Sequence, residues 1–259
     1  MKNFLAALWT ESLKVRKAKV VWLTAGAFTI APFMAGFFMF ILKDPELAKS
    51  SGLLGDQAQL AGEANWSSYL SLHAQMIAVG GIFVFGFITS WIFGREFADQ
   101  TVKDLLSLPF SRTVIVTAKF AIAFLTSFIL TAYILVIGFL IGWLIRLPGW
   151  SIDMVSHELF ITFGVTLLTI PLSTSVAFFA SWSKGYLAPL GFVIISLVLS
   201  QIVAAIGYGT YFPWSIPALY GGIIDGEHLL NWCSLLILIV TGLIGIVGTI
   251  CWWRYADHD

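Results

Sequence analysis

Few side chains in this 259-residue sequence could perform chemistry: it holds four histidines and two cysteines. His73, His157 and Glu158 stand near the ends of apolar runs. No spacing joins them into an acid, a base and a group that orients either. Asp225, Glu227 and His228 fall within one loop and could be drawn as a metal site. Without a fixed geometry, three ligand types in a loop make a weak zinc pattern, and solvation accounts for them equally well. Cys233 and Cys251, if both lie on one helix, are about 27 Å apart along its axis. A disulfide cannot span that distance, so they read as small packing residues. There is no GxxxxGK[ST] phosphate loop, no nucleophile elbow and no HExxH pair. These absences point away from an enzyme. A nucleotide-driven machine built from this chain must borrow its ATPase.

Three segments between the apolar runs carry other signals. In residues 1–19, Phe4, Leu8 and Val15, with Leu5 and Trp9 in part, share one helical face, while Thr10, Lys14 and Lys17 lie opposite. That pattern predicts a helix in the membrane interface with its lysines near anionic lipid; the alternative is a basic tail that only fixes topology. In residues 94–119, Thr101 followed by Asp104 resembles a capping box and predicts a short helix from Val102. Leu105, Leu106 and Leu108 give that helix an apolar side, and Pro109 ends it. It is either a knob for a groove on a soluble partner or a loop packed on the protein's own helix ends. Composition leaves both open. Residues 207–232 concentrate Tyr208, Tyr211, Pro213, Trp214, Pro217 and Tyr220. This is an interfacial or membrane-dipping segment that lines an exit for an amphiphilic substrate, or an ordinary aromatic belt. Residues 43–69 show no chemistry that can be named.

The elements that must hold these segments follow from composition. Apolar residues make up 59% of the chain, charged residues 11%, and mean hydropathy is +0.91. A soluble domain is about 45–50% apolar and about 25% charged. The expected fold is all-α, a polytopic membrane protein. Apolar runs long enough to cross hydrocarbon cover residues 20–42, 72–93, 120–145, 159–182, 187–206 and 233–253. The polar break at 183–186 makes a tight hairpin of the fourth and fifth. Lys2, Lys14, Arg16, Lys17, Lys19, Arg95, Lys103, Arg112, Lys119, Lys184 and Arg254 fall on the side of the N-terminus, against Lys43, Lys49 and Arg146 on the other. The positive-inside rule then puts both termini in the cytoplasm. Zero net charge gives no field to recruit nucleic acid.

The span centres hold almost no ionisable residue, which argues against a proton-driven antiporter. Pro32, Pro171 and Pro189 are expected to kink their helices. The Gly138–Gly142 step and the series Gly242, Gly245, Gly248 let helices approach closely.

The run Gly94-Arg95-Glu96-Phe97, with Thr101, Leu105-Leu106, Leu108-Pro109, Ser111-Arg112 and Ala118-Lys119, resembles the cytoplasmic loop of type 2 ABC exporter permeases. It looks most like their bacitracin-export and lantibiotic-immunity branch. The stretch from Phe212 to Pro217 is similar to the outer segment of that branch. The resemblance implies an interfacial N-terminal helix (1–19) and a six-span transmembrane domain (20–259) in a bacterial cytoplasmic membrane. Between spans two and three it implies a cytoplasmic coupling helix over about residues 99–108. Asp99, Thr101, Leu105, Leu106, Leu108, Pro109 and Arg112 would then serve a separate ABC ATPase subunit. Arg95 and Glu96 would pair with the N-terminal helix or with the ATPase. ATP and Mg would be bound by that partner and no cofactor by this chain. A second permease, of the same or a different chain, would complete the membrane part. The implied cargo is an amphiphilic peptide resembling bacitracin or a lantibiotic. A permease for a drug, lipid or ion, and an ATP-independent carrier, are the alternatives.

Overall fold

The computed structural model describes residues 2–44, 63–106, 111–223 and 231–256. A helix of about 20 residues spans the hydrocarbon, and five of the six long apolar helices exceed that by several residues. In chain order, α1 (Lys2–Lys17) precedes a first span made of α2 (Lys19–Phe28) and α3 (Ile30–Lys43). Then come α4 (Trp66–Ala98), the short α5 (Val102–Leu106), α6 (Arg112–Ile145), α7 (Ile152–Trp182) and α8 (Leu187–Ala205). Two 3₁₀ turns (Gly209–Tyr211 and Pro213–Ser215), α9 (Ile216–Tyr220) and α10 (Trp232–Tyr255) complete the chain. No strand occurs among the described residues. The chain is an all-α, multi-pass membrane protein.

Three helices begin well before their apolar runs, because polar caps start them outside the hydrocarbon. Asn65, Ser111 and Ser151 each accept a hydrogen bond from the backbone N–H three residues on, at Ser68, Val114 and Met154. α6, with 34 residues, is about 50 Å long against a hydrocarbon core of about 30 Å. Its first turns therefore stand free of the apolar layer and can carry charge.

The three prolines behave differently. Pro32 cannot donate to the Phe28 carbonyl, and the first span breaks at Thr29 between α2 and α3. Pro171 lies within an uninterrupted α7. Pro189 occupies the third residue of α8, where an N–H has no partner within the helix, so the kink expected there does not occur.

α4 and α7 form the centre of the bundle and are mostly buried, whereas α8 and α10 turn most of their surface outward. Small residues bring the walls together. A β-carbon on Gly138 would stand 2.5 Å from the His73 ring, and one on Gly142 2.6 Å from the Trp66 ring. The GxxxG step thus seats α6 on α4 within one chain. Gly242 and Gly248 lie against Pro171 and Phe178, and Gly245 against Thr174, so the second glycine series seats α10 on α7. Cys233 and Cys251 are free and exposed on α10.

The α7–α8 turn closes tightly. Lys184 adopts left-handed backbone, Gly185 donates to the Ala180 carbonyl, and the Ser90 hydroxyl reaches the Tyr186 carbonyl at 3.0 Å. The turn rests on Gly94, where a β-carbon would stand 2.6 Å from the Gly185 carbonyl oxygen. Two backbones meet there and neither can yield as a side chain would. Gly94→Val is expected to push the hairpin off α4 and cost about 1–3 kcal/mol. Thermal unfolding of the purified variant measures this; Gly185→Ala, with no atom nearer than 3.9 Å to its new carbon, should leave the midpoint unchanged.

Candidate functional site

At the end of the bundle that gathers most of the basic residues, five charged side chains from three helices meet in a buried cluster. On α1, positions 4, 8, 11 and 15 share one face at helical spacing, so the stripe of Phe4, Leu8 and Val15 carries Glu11 inward with it. Glu11 and Glu96 are buried, and Lys119 is fully enclosed at 0% exposure. The Lys119 ammonium donates to Glu96 Oε1 at 2.8 Å, to Glu11 Oε2 at 3.3 Å and to the Ile92 carbonyl at 2.9 Å. All three of its protons are therefore used. Lys14 bridges Glu11 Oε1 at 2.7 Å and Glu96 Oε1 at 3.2 Å. Arg95 approaches the same Glu96 oxygen at 3.2 Å and Glu11 Oε2 at 3.5 Å. Its guanidinium also lies 4.7 Å from the centre of the Trp91 ring, a cation–π geometry.

Aromatic rings shield this cluster from solvent. The Phe93 and Trp253 rings stand 5.9 and 6.0 Å from the Lys119 ammonium. Trp253 donates its indole N–H to the Ser181 hydroxyl at 2.9 Å and meets Phe97 edge-on. The foot of α6 is also fastened to the C-terminal end of α10: Arg112 donates to the Trp253 and Arg254 carbonyls, the favoured place for a cation on a helix.

Backbone hydrogen bonds tie the short α5 to this cluster. α4 ends with Asp99 as its cap and Gln100 in left-handed conformation at φ 56°. Thr101 N–H then bonds the Glu96 carbonyl at 2.9 Å and Gln100 N–H the Phe97 carbonyl at 3.2 Å, a complete Schellman turn. Glu96 therefore holds α1 and α6 through its carboxylate and the start of α5 through its carbonyl. Val102 is buried in the main core and Leu105 packs against it, half-buried. The start of α5 is thus bonded directly to the residue that joins α4, α1 and α6.

Residues 7–200 match the sequence profile of the ABC-2 family transporter proteins, about three-quarters of the chain. The chain belongs to the ABC-2 transporter family. It is also 29% identical over 180 residues to the bacitracin transport permease protein BCRB of Bacillus licheniformis, covering 68% of this chain and 85% of that protein. No solved structure matches. The likeness to the bacitracin-export branch, read from the loop between the second and third spans, is thus supported. The chain is a transporter permease subunit.

In this ABC-2 permease the residues expected around the coupling loop divide into three groups. Arg95 and Glu96 lie in the ionic cluster and pair with the N-terminal helix, one of their two expected partners. Arg112 is engaged with α10. Asp99 and Thr101 are exposed. The helix begins at Val102, as the Thr101–Asp104 pattern predicts, and not near Asp99 as the resemblance implied, because the turn at Gln100 separates it from α4. Leu105, left open between a partner's groove and the protein's own helix ends, leans onto its own bundle. Leu106 belongs to α5, its side chain outside the described set, and Leu108 and Pro109 fall outside the described residues altogether.

On α1, Leu8 packs into the core beside Val15, and Phe4 is half-buried. Lys17 is exposed, but Lys14, expected to point toward lipid, turns inward because two buried carboxylates draw it. Sequence reasoning gives Glu11 no role, and Lys119 enters only as a topology charge and as part of the loop motif. An acid within an apolar helical stripe, and a lysine followed directly by the third apolar run, were the available signals.

At the opposite end the aromatic segment does not present one surface. Pro217 is buried, and Tyr220 packs against Gly164, its phenol pushed up by burial. Trp214 meets Phe192 edge-on and Phe212 at a tilt. Tyr211 and Tyr208 are exposed. Asp225, Glu227 and His228 lie outside the described residues.

Proposed function

We propose that this permease is the membrane subunit of an ATP-driven exporter whose ATPase is a separate chain docking on α5. The basic end then faces the cytoplasm, as the positive-inside rule requires. The cargo is an amphiphilic peptide antibiotic of the bacitracin or lantibiotic kind. The observation carrying this reading is the bond from Thr101 to Glu96, which links a short helix outside the spans to the N-terminal helix and to two spans, α4 and α6. Similarity to a protein named as a bacitracin transport permease supports the cargo. ATP and Mg belong to the partner, and a second permease, identical or not, completes the pathway. The nucleotide biases the membrane part only through its different affinity for two arrangements of the ATPases. The ionic cluster is where that difference enters the spans.

Co-expression with the ATPase tests this. Lys103→Glu and Leu106→Asp on α5 are expected to lower ATPase recovered with the permease at least tenfold, with membrane insertion unchanged. Recovery equal to the parent would overturn the docking. Cells making both subunits should tolerate more bacitracin than cells whose ATPase cannot hydrolyse ATP. Equal sensitivity would remove the peptide assignment.

A further inference from the structure

A groove of about 540 Å³ opens on the outer flank of the bundle, between α1, α2 and α6. Its volume falls within the range of ligand sites, about 300–1,000 Å³. The α6 wall runs from Ile122 to Tyr133, about 16 Å at 1.5 Å per residue. That is close to half of a hydrocarbon core about 30 Å thick, the depth of one leaflet. The far end is closed where Tyr133 and Thr29 share a hydrogen bond of 2.9 Å, joining α6 to the break in the first span. The near end is bordered by Trp9 and Trp22, at 66% and 67% exposure, and by Arg16.

The lining asks for no hydrogen bonds along its length. The hydroxyls of Ser12 and Thr126 bond carbonyls of their own helices, and that of Tyr133 is taken by Thr29. A peptide laid in the groove would leave its own N–H and C=O groups unmatched, at a cost. A hydrocarbon chain would lose nothing. Arg16 is the groove's one cation, and its guanidinium makes no ion pair among the described residues. Trp22 donates its indole N–H to the Arg16 carbonyl, so cation and aromatic border are held together. Lys17 and Lys19 are exposed beside it.

We infer that this groove holds one acyl chain of an anionic glycerophospholipid from the leaflet at the basic end, its phosphate on Arg16. The site needs neither ATPase nor transported cargo. An interfacial cation contributes about fivefold in preference for an anionic surface.

Native mass spectrometry of the purified full chain, delipidated and then offered phosphatidylglycerol or phosphatidylcholine, tests it. The parent should retain about fivefold more phosphatidylglycerol. Arg16→Ala should bring the two lipids to equal retention, and Arg16→Lys should restore the preference. A β-carbon on Gly26 meets nothing within 4 Å, so the backbone there accepts a side chain, and Gly26→Phe, its ring in the groove, should abolish retention of both, with an unchanged gel-filtration profile. Equal retention of the two lipids by the parent would overturn the inference. So would an undiminished preference in Arg16→Ala or undiminished retention in Gly26→Phe. A groove occupied by a second copy would show as a parent dimer that Gly26→Phe splits, which also overturns it.

Discussion

Lys119→Ala is expected to lower the unfolding free energy of the permease by about 3–5 kcal/mol, the usual cost of removing one partner from a buried ion pair. Lys119 is fully enclosed, and its three protons serve Glu96, Glu11 and the Ile92 carbonyl. Without it, two buried carboxylates on different helices face each other. Only Lys14, with 30% of its side chain exposed, and Arg95 remain to balance them. The companion variant separates net worth from the cost of an unmatched charge. Replacing both members of a pair by apolar groups is often neutral, so Lys119→Met with Glu96→Leu should recover most of the loss and leave Glu11 with Lys14 and Arg95. Thermal or denaturant unfolding in detergent reads both. A single variant within about 1 kcal/mol of the parent would mean that the cluster does not hold α1 to the bundle.

That cluster also shows where the sequence is legible and where it is not. Six spans follow from run length and apolarity alone, because lipid demands both. Their true starts do not. Hydropathy reports only the part of a helix in hydrocarbon, while Asn65, Ser111 and Ser151 begin α4, α6 and α7 by hydrogen bonding outside it. The Thr101 signal located α5, yet the turn at Gln100 that fixes its start depends on a left-handed residue that is neither glycine nor asparagine, and no local rule singles it out. Arg95 and Glu96 were conspicuous as charges beside an apolar run. Their partners were hidden, since Glu11 is 85 positions and Lys119 is 23 positions from Glu96, and pairing at such separations is decided by packing. Lys14 was misdirected for the same reason. A helical wheel gives the angle of a side chain's root, and a long lysine can reach around its helix to buried carboxylates.

Val102→Asp is expected to separate docking from transport. Val102, at 8% exposure, is the buried anchor of a five-residue helix that has little stability of its own. A carboxylate there is an unpaired charge in the core beside Leu105 and drives α5 off the bundle. The exposed Lys103 stays available to the ATPase. ATPase recovery should therefore stay within about twofold of the parent and ATP hydrolysis should continue, while ATP-dependent peptide movement in proteoliposomes falls at least tenfold. Val102→Ala, which removes packing without adding charge, should give an intermediate loss, and Val102→Ile should transport like the parent. Capture lost together with transport would mean that α5 is recognised only in its packed position. Transport unchanged in the aspartate variant would mean that motion reaches the spans by a route other than Glu96. Between these outcomes the expected result would isolate one physical step of the proposed coupling, in which an ATPase holding α5 would act on α1, α4 and α6 through the contact of Val102 with the core and the Thr101–Glu96 bond.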